Sequence, residues 1–109
     1  MIKRSKVVFV SETLEKTFES LPENEILKKH IKRGIEEIKE NAFAGIRIPK
    51  RLFPEEYVVK YNITNLWKYD LPNGWRLIYT LTSPNKVEII SVILEWFTSH
   101  KDYERRFKY

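Results

Sequence analysis

Leu66-Trp67-Lys68-Tyr69-Asp70-Leu71, Pro72-Asn73-Gly74 and Trp75-Arg76-Leu77-Ile78-Tyr79-Thr80-Leu81-Thr82 together form the stretch that decides the fold. Two runs rich in aromatic and aliphatic residues flank Asn-Gly, and their side chains alternate with period two. That alternation predicts strands, because successive side chains on a strand point to opposite faces. Asn-Gly accommodates the positive φ values of a hairpin turn. The register stays open: a two-residue Asn73-Gly74 turn and a longer loop containing Pro72 place Arg76 opposite different partners. Ser83-Pro84-Asn85 is another turn. Lys86 to about Trp96 then reads as a third strand, apolar at Val87, Ile89, Ile90, Val92, Ile93 and Leu94. A strand apolar on both faces is buried on both, which predicts the central position in the sheet.

Upstream, Ala42 to Glu56 is irregular, broken by Gly45, Pro49 and Pro54, and carries Arg47, Lys50 and Arg51 with no acid between them. Before it, Leu27 (or Ile26), Ile31, Ile35 and Ile38 make an apolar stripe on a helix starting near Asn24. The charged face of that helix holds Lys28, Lys29, Lys32, Arg33, Glu36, Glu37, Lys39 and Glu40, with His30 among them. A shorter helix precedes it, N-capped by Ser11, carrying Leu14, Phe18 and Leu21 and broken at Pro22. Val7-Val8-Phe9-Val10 is a strand. The order is β-α-α-β-β-β with a short helix to finish: an α+β fold in which an antiparallel sheet packs against an N-terminal helical hairpin.

The chain's 109 residues fit one domain, 1–109. Twenty Lys and Arg against fifteen Asp and Glu give a net charge of +5, which favours a polyanionic partner. Cysteine is absent, which excludes disulfides and thiolate ligands, and two histidines far apart suggest no metal site. No cofactor motif is present. The longest apolar stretch is too short to span a bilayer, and the expected location is the cytoplasm.

Ser99 has the character of an N-cap, with Asp102 three residues on, so His100, Lys101 and Asp102 fall in the first turn of a helix reaching about Phe107. His100 and Tyr103 then share a face. Metal-independent RNA cleavage needs such a set. The 2′-hydroxyl loses a proton as it attacks phosphorus, the leaving 5′-oxygen gains one, and cations stabilise the charge between. Imidazole suits the proton transfer and arginine the phosphate. The plainer reading is a surface histidine, a Tyr103 packed on the sheet, and Arg105, Arg106 and Lys108 as solvated charges at a helix C-terminus. Trp67, Tyr69, Trp75 and Tyr79 either stack on bases or pack in the core, and one or two of them are expected to be exposed.

The strand–helix–helix–meander order, Trp75-Arg76-Leu77-Ile78-Tyr79, and the ending Thr98-Ser99-His100-Lys101-Asp102-Tyr103 together resemble the RelE/ParE superfamily of toxins, the ending especially its HigB-type members. The resemblance implies a RelE-like fold and a toxin of a toxin–antitoxin pair. Its expected activity is that of a ribosome-dependent mRNA endonuclease, with a cognate antitoxin, mRNA and the ribosome as partners. It implies Arg76 as the transition-state arginine and Lys68 as a phosphate contact. His100 and Tyr103 would serve in proton transfer or nucleotide stacking, with Lys101 adding positive charge at the substrate. From their charge, Arg47, Lys50 and Arg51 either bind substrate by tracking RNA phosphates or sit on a solvated loop. The chain departs from RelE at Asp70, where RelE has a second lysine, and at Leu94-Glu95-Trp96-Phe97, where RelE is arginine-rich. The alternatives are a ParE-like inhibitor of DNA gyrase, against which the His-Lys-x-Tyr ending counts, and an inactive RNA-binding relative.

Overall fold

In a computed structural model describing residues 2–107, the hairpin forms between β3 (Trp67–Asp70) and β4 (Arg76–Thr82). Its register is that of the longer loop: Asp70 lies opposite Arg76 and Tyr69 opposite Leu77. The Leu71 N–H donates to the Trp75 carbonyl at 2.7 Å. Asn73 (φ 68°) and Gly74 (φ 73°) both adopt the left-handed conformation that Asn-Gly favours.

A five-stranded sheet grows from this hairpin in the order β1-β5-β4-β3-β2, with β1 at Lys6–Phe9, β2 at Ile46–Arg47 and β5 at Ile90–Phe97. The central strand is therefore β4, not the most apolar strand, and β5 sits between β4 and β1. The sheet is also mixed rather than antiparallel, because β1 runs parallel to β5. Lys86–Glu88 stay out of β5. The Asn85 side-chain oxygen accepts from the N–H groups of both Val87 and Glu88 at 2.8 Å, and Val87 points into solvent.

Helices cover both faces. On one lie α1 (Glu12–Glu19) and α2 (Ile26–Glu40), packing Phe18, Ile31 and Ile38 against Leu71, Leu77, Tyr79 and Ile93. The Ser11 hydroxyl caps α1, accepting from the Leu14 N–H at 3.1 Å. Lys28 is not on a solvated face. It is 5% exposed, and its ammonium donates to the Glu19 and Leu21 carbonyls at 3.1 and 3.0 Å and to the Glu23 carboxylate, closing the turn between α1 and α2. On the other face, α4 (His100–Phe107) and α3 (Glu55–Tyr61) bury Tyr57, Tyr103 and Phe107 against Leu66, Ile78, Leu94 and Phe97. The irregular stretch thus holds β2 and leads into α3, elements absent from the expected order, with Pro54 serving as the N-cap of α3. Among the described residues no helix is long and apolar enough to cross a membrane.

A bulge sets the chemistry of the α4 face. Ile78 lies opposite Glu95 but Tyr79 lies opposite Ile93, so Leu94 is the extra residue. Leu94 and Glu95 consequently both serve this face: Leu94 joins its core, and Glu95 bonds to Tyr57 and Arg106.

Tyr79 is fully buried, and its hydroxyl donates to the Ala42 carbonyl at 2.8 Å and accepts from the Gly45 N–H at 2.9 Å. Gly45 is required there, since a Cβ would stand 2.6 Å from the Lys68 carbonyl oxygen and 2.8 Å from the Tyr79 hydroxyl. Burial pushes the Tyr79 phenol up to about 12, against the Gly45 hydrogen bond. A folded-state value above the unfolded one, roughly 10, makes the stabilisation complete below that pH and lost as pH rises toward 12. Tyr79→Phe is expected to cost about 1–2 kcal/mol at pH 7. In urea melts the gap between wild type and variant should close between about pH 10 and 12; a gap independent of pH there would remove the hydroxyl from the account.

Candidate functional site

Arg76 opens β4, Lys68 lies on β3, and α4 begins at His100, so three elements meet at one end of the sheet. Strand alternation sends Lys68 and Arg76 to the α4 face, the opposite face from Leu77 and Tyr79. The Ser99 hydroxyl caps α4 by accepting from the Asp102 N–H at 3.3 Å, which brings His100 to the sheet edge.

Arg76 is the centre of the group. Its guanidinium lies 4.3 Å from the ring centroid of Tyr103, a cation–π stack, and its side chain is only 18% exposed. Its Nη1 is 3.4 Å from His100 Nδ1. Its Nε is shielded, forms no hydrogen bond among the described residues, and faces the Asp70 carboxylate at 3.7 Å. The Lys68 ammonium lies 6.0 Å from the same Tyr103 ring. The other imidazole nitrogen of His100, Nε2, meets the Glu104 carboxylate at 2.5 Å, one helical turn away. With Nε2–H donating to Glu104, Nδ1 carries the lone pair that Arg76 approaches, a tautomer assigned from the hydrogen-bond pattern.

Tyr103 supports the site from below. Its ring is 1% exposed, stacked on Phe107 at 4.5 Å and edge-on to Phe97 at 5.7 Å. A nucleotide cannot stack on a ring so enclosed; Tyr103 holds the Arg76 fork flat instead. Lys101 is exposed on the first turn of α4, beside His100. Arg47 does not join the group: it pairs with Trp67 across β2 and β3, and its guanidinium lies 6.0 Å from the Trp67 ring, toward the α1–α2 face. Lys50 and Arg51, in a 3-10 turn, are exposed near the C-terminal end of α4, where Arg51, Arg106 and Phe107 line one depression.

The aromatics of the hairpin are less open than expected. Tyr79 is buried and Trp67, Tyr69 and Trp75 are half-buried, so none of the four is fully exposed. His30 is not idle on a charged face but lies edge-on to Trp75, with ring centroids 5.6 Å apart. Arg106 is not a solvated charge either; it bonds Glu95 and Glu56. Arg105 pairs with Asp102 at 3.6 Å, while Lys108 lies outside the described residues. Glu104 escaped the sequence reading, although its i,i+4 signal from His100 was available. Asp70 stands out in the sequence as a departure from RelE, and its proximity to Arg76 depended on the hairpin register.

The group can bind an anion at the Arg76 fork and exchange a proton at His100 Nδ1. No family model matches the chain, and no curated protein or solved structure does either.

Proposed function

We propose that this chain is the toxin of a toxin–antitoxin pair, a metal-independent and ribosome-dependent mRNA endonuclease cleaving by 2′-hydroxyl attack. The observation that carries the reading is the meeting of Arg76 and His100, 24 residues apart in sequence, at 3.4 Å over the Tyr103 ring. A planar cation and a proton carrier at one point are what the two halves of the reaction require.

His100 Nδ1, left unprotonated by the Glu104 bond to Nε2, exchanges its contact with Arg76 for the 2′-hydroxyl and takes that proton as the oxygen attacks phosphorus. Arg76 and Lys68 hold the non-bridging oxygens as negative charge develops on them. The 5′-oxygen leaves by taking a proton from solvent water, and the phosphate closes to a 2′,3′-cyclic ester. The RelE/ParE resemblance supplies mRNA, the ribosome and a cognate antitoxin as partners. The basic excess of the chain agrees with an RNA partner.

The test is to incubate the protein with programmed ribosomes and analyse the RNA ends. Fragments ending in 2′,3′-cyclic phosphate, lost in His100→Ala, are expected. Intact RNA alongside inhibition of gyrase supercoiling would replace this reading with the gyrase-poison one; binding without cleavage or growth arrest would leave an inactive relative.

A further inference from the structure

Between α2 and the end of β3 lies a groove lined by His30, Arg33 and Gly34 on one side and Tyr69, Asp70 and Pro72 on the other. Its shape depends on Gly34, where a Cβ would approach the Leu71 side chain to 3.0 Å and the Tyr69 ring to 3.4 Å. His30 and Arg33 are three apart on the helix and therefore adjacent. The α2 lysines that form ion pairs are Lys28, Lys32 and Lys39, which leaves both groove bases without an acid partner among the described residues. Trp75 backs His30 from outside this lining, edge-on to it with ring centroids 5.6 Å apart. Burial, reinforced by Glu37, holds the Tyr69 phenol above its ordinary range, so its hydroxyl remains a donor.

The groove also adjoins the site. Asp70 lines it and at the same time faces Arg76 at 3.7 Å, and Trp75 immediately precedes Arg76 in the chain. β2 pairs only with Trp67 and Lys68 of β3, so among the described residues no strand lies beside Asp70 on that edge, between Arg76 on one face of the sheet and the groove on the other.

We infer that the groove is a second nucleotide subsite, in which Arg33 and His30 take the phosphate next along the strand and Trp75, Tyr69 and Asp70 contact its nucleoside. This rests on the nuclease reading for its substrate. A nucleotide fits better than an acidic peptide. Arg33 offers a fork for phosphate and Trp75 a ring edge, while the Asp70 carboxylate accepts from ribose hydroxyls or base amines. An acidic peptide brings neither ribose hydroxyls nor base amines for Asp70 and has no use for the ring.

The test uses the 15N-labelled full chain and a short single-stranded RNA with 2′-deoxyribose at the attacking position. Expected are a shift of the Trp75 indole N–H resonance on titration and, for Arg33→Gln, weaker binding by about fivefold at low salt. The plot of log K against log salt should become shallower by about 0.7, the loss of one phosphate contact on a single strand. A shift at Trp75 with no cleavage by wild type on ribosomes keeps the subsite and overturns the nuclease reading. Cleavage with an unmoved Trp75 resonance and an unchanged salt slope in Arg33→Gln overturns the subsite and keeps the nuclease. Failure of the RNA to bind at all overturns the subsite as well.

Discussion

Arg76→Ala is expected to lower RNA cleavage by about 10²–10³-fold, the range for removing a preorganised donor aimed at developing charge. The loss should fall mainly on the chemical step. Arg76 is stacked on Tyr103 and boxed by Asp70, so its fork is placed before substrate arrives and is not recruited by it. Arg76→Lys should recover little, because an ammonium neither stacks flat on the ring nor presents parallel donors to phosphate. Folding should survive both changes: Arg76 opens β4 at the rim of the sheet, and the lost cation–π contact is worth about 1 kcal/mol. The measurement is single-turnover cleavage on ribosomes, with circular dichroism and a urea melt as controls. Cleavage within threefold of wild type in a folded Arg76→Ala protein would remove the arginine from the mechanism.

How far the sequence led can be read from particular residues. Ser11 and Ser99 were legible as helix caps because one side-chain oxygen within three residues satisfies an otherwise unpaired N–H, a local event. The hairpin was legible from alternation and Asn-Gly, and its register was not, because Pro72 permits either loop. The parallel docking of β1 on β5 joins residues more than eighty apart, and no local pattern encodes it. The apolar run of β5 suggested a central strand, yet a strand beside a central one is covered on both faces as well. Pro49 and Pro54 read as breakers, whereas proline is also suited to the start of a helix, and Pro54 begins α3. Of the candidate site, His100, Arg76 and Lys68 come together through strand alternation and one cap, both visible in sequence. Arg47 falls on the other face because it lies on β2, opposite Trp67, and β2 is a strand the sequence reading lacked altogether.

The bulge at Leu94 has the largest consequence for stability, and Arg106→Ala is the variant that measures it. By simple alternation from Ile93, Glu95 belongs on the α1–α2 face; the bulge turns it instead toward α4, where a carboxylate needs partners. Arg106 supplies two, donating from Nε and Nη2 to the two Glu95 oxygens at 3.1 and 3.0 Å, while its Nη1 reaches Glu56. Tyr57 supplies a third from α3, its hydroxyl donating to Glu95. Burial and that hydrogen bond push the Tyr57 phenol far above its ordinary range, so it stays a donor across the accessible pH range. Three elements are thus tied through one carboxylate. Removing Arg106 leaves Glu95 beneath α4 with the Tyr57 phenol as its remaining side-chain hydrogen bond among the described residues. A fully buried pair broken in this way costs about 3–5 kcal/mol; with Arg106 31% and Glu95 27% exposed, water recovers part of that, and about 2–4 kcal/mol is expected. Because α4 also carries His100 and Tyr103, cleavage should fall with the helix loosened. The double variant Glu95→Gln/Arg106→Ala should be more stable than the sum of the single changes by about 1–3 kcal/mol. Strict additivity in urea melts would mean that the two side chains do not act as a pair, and that hydrophobic packing of Tyr103 and Phe107 alone holds α4 to the sheet.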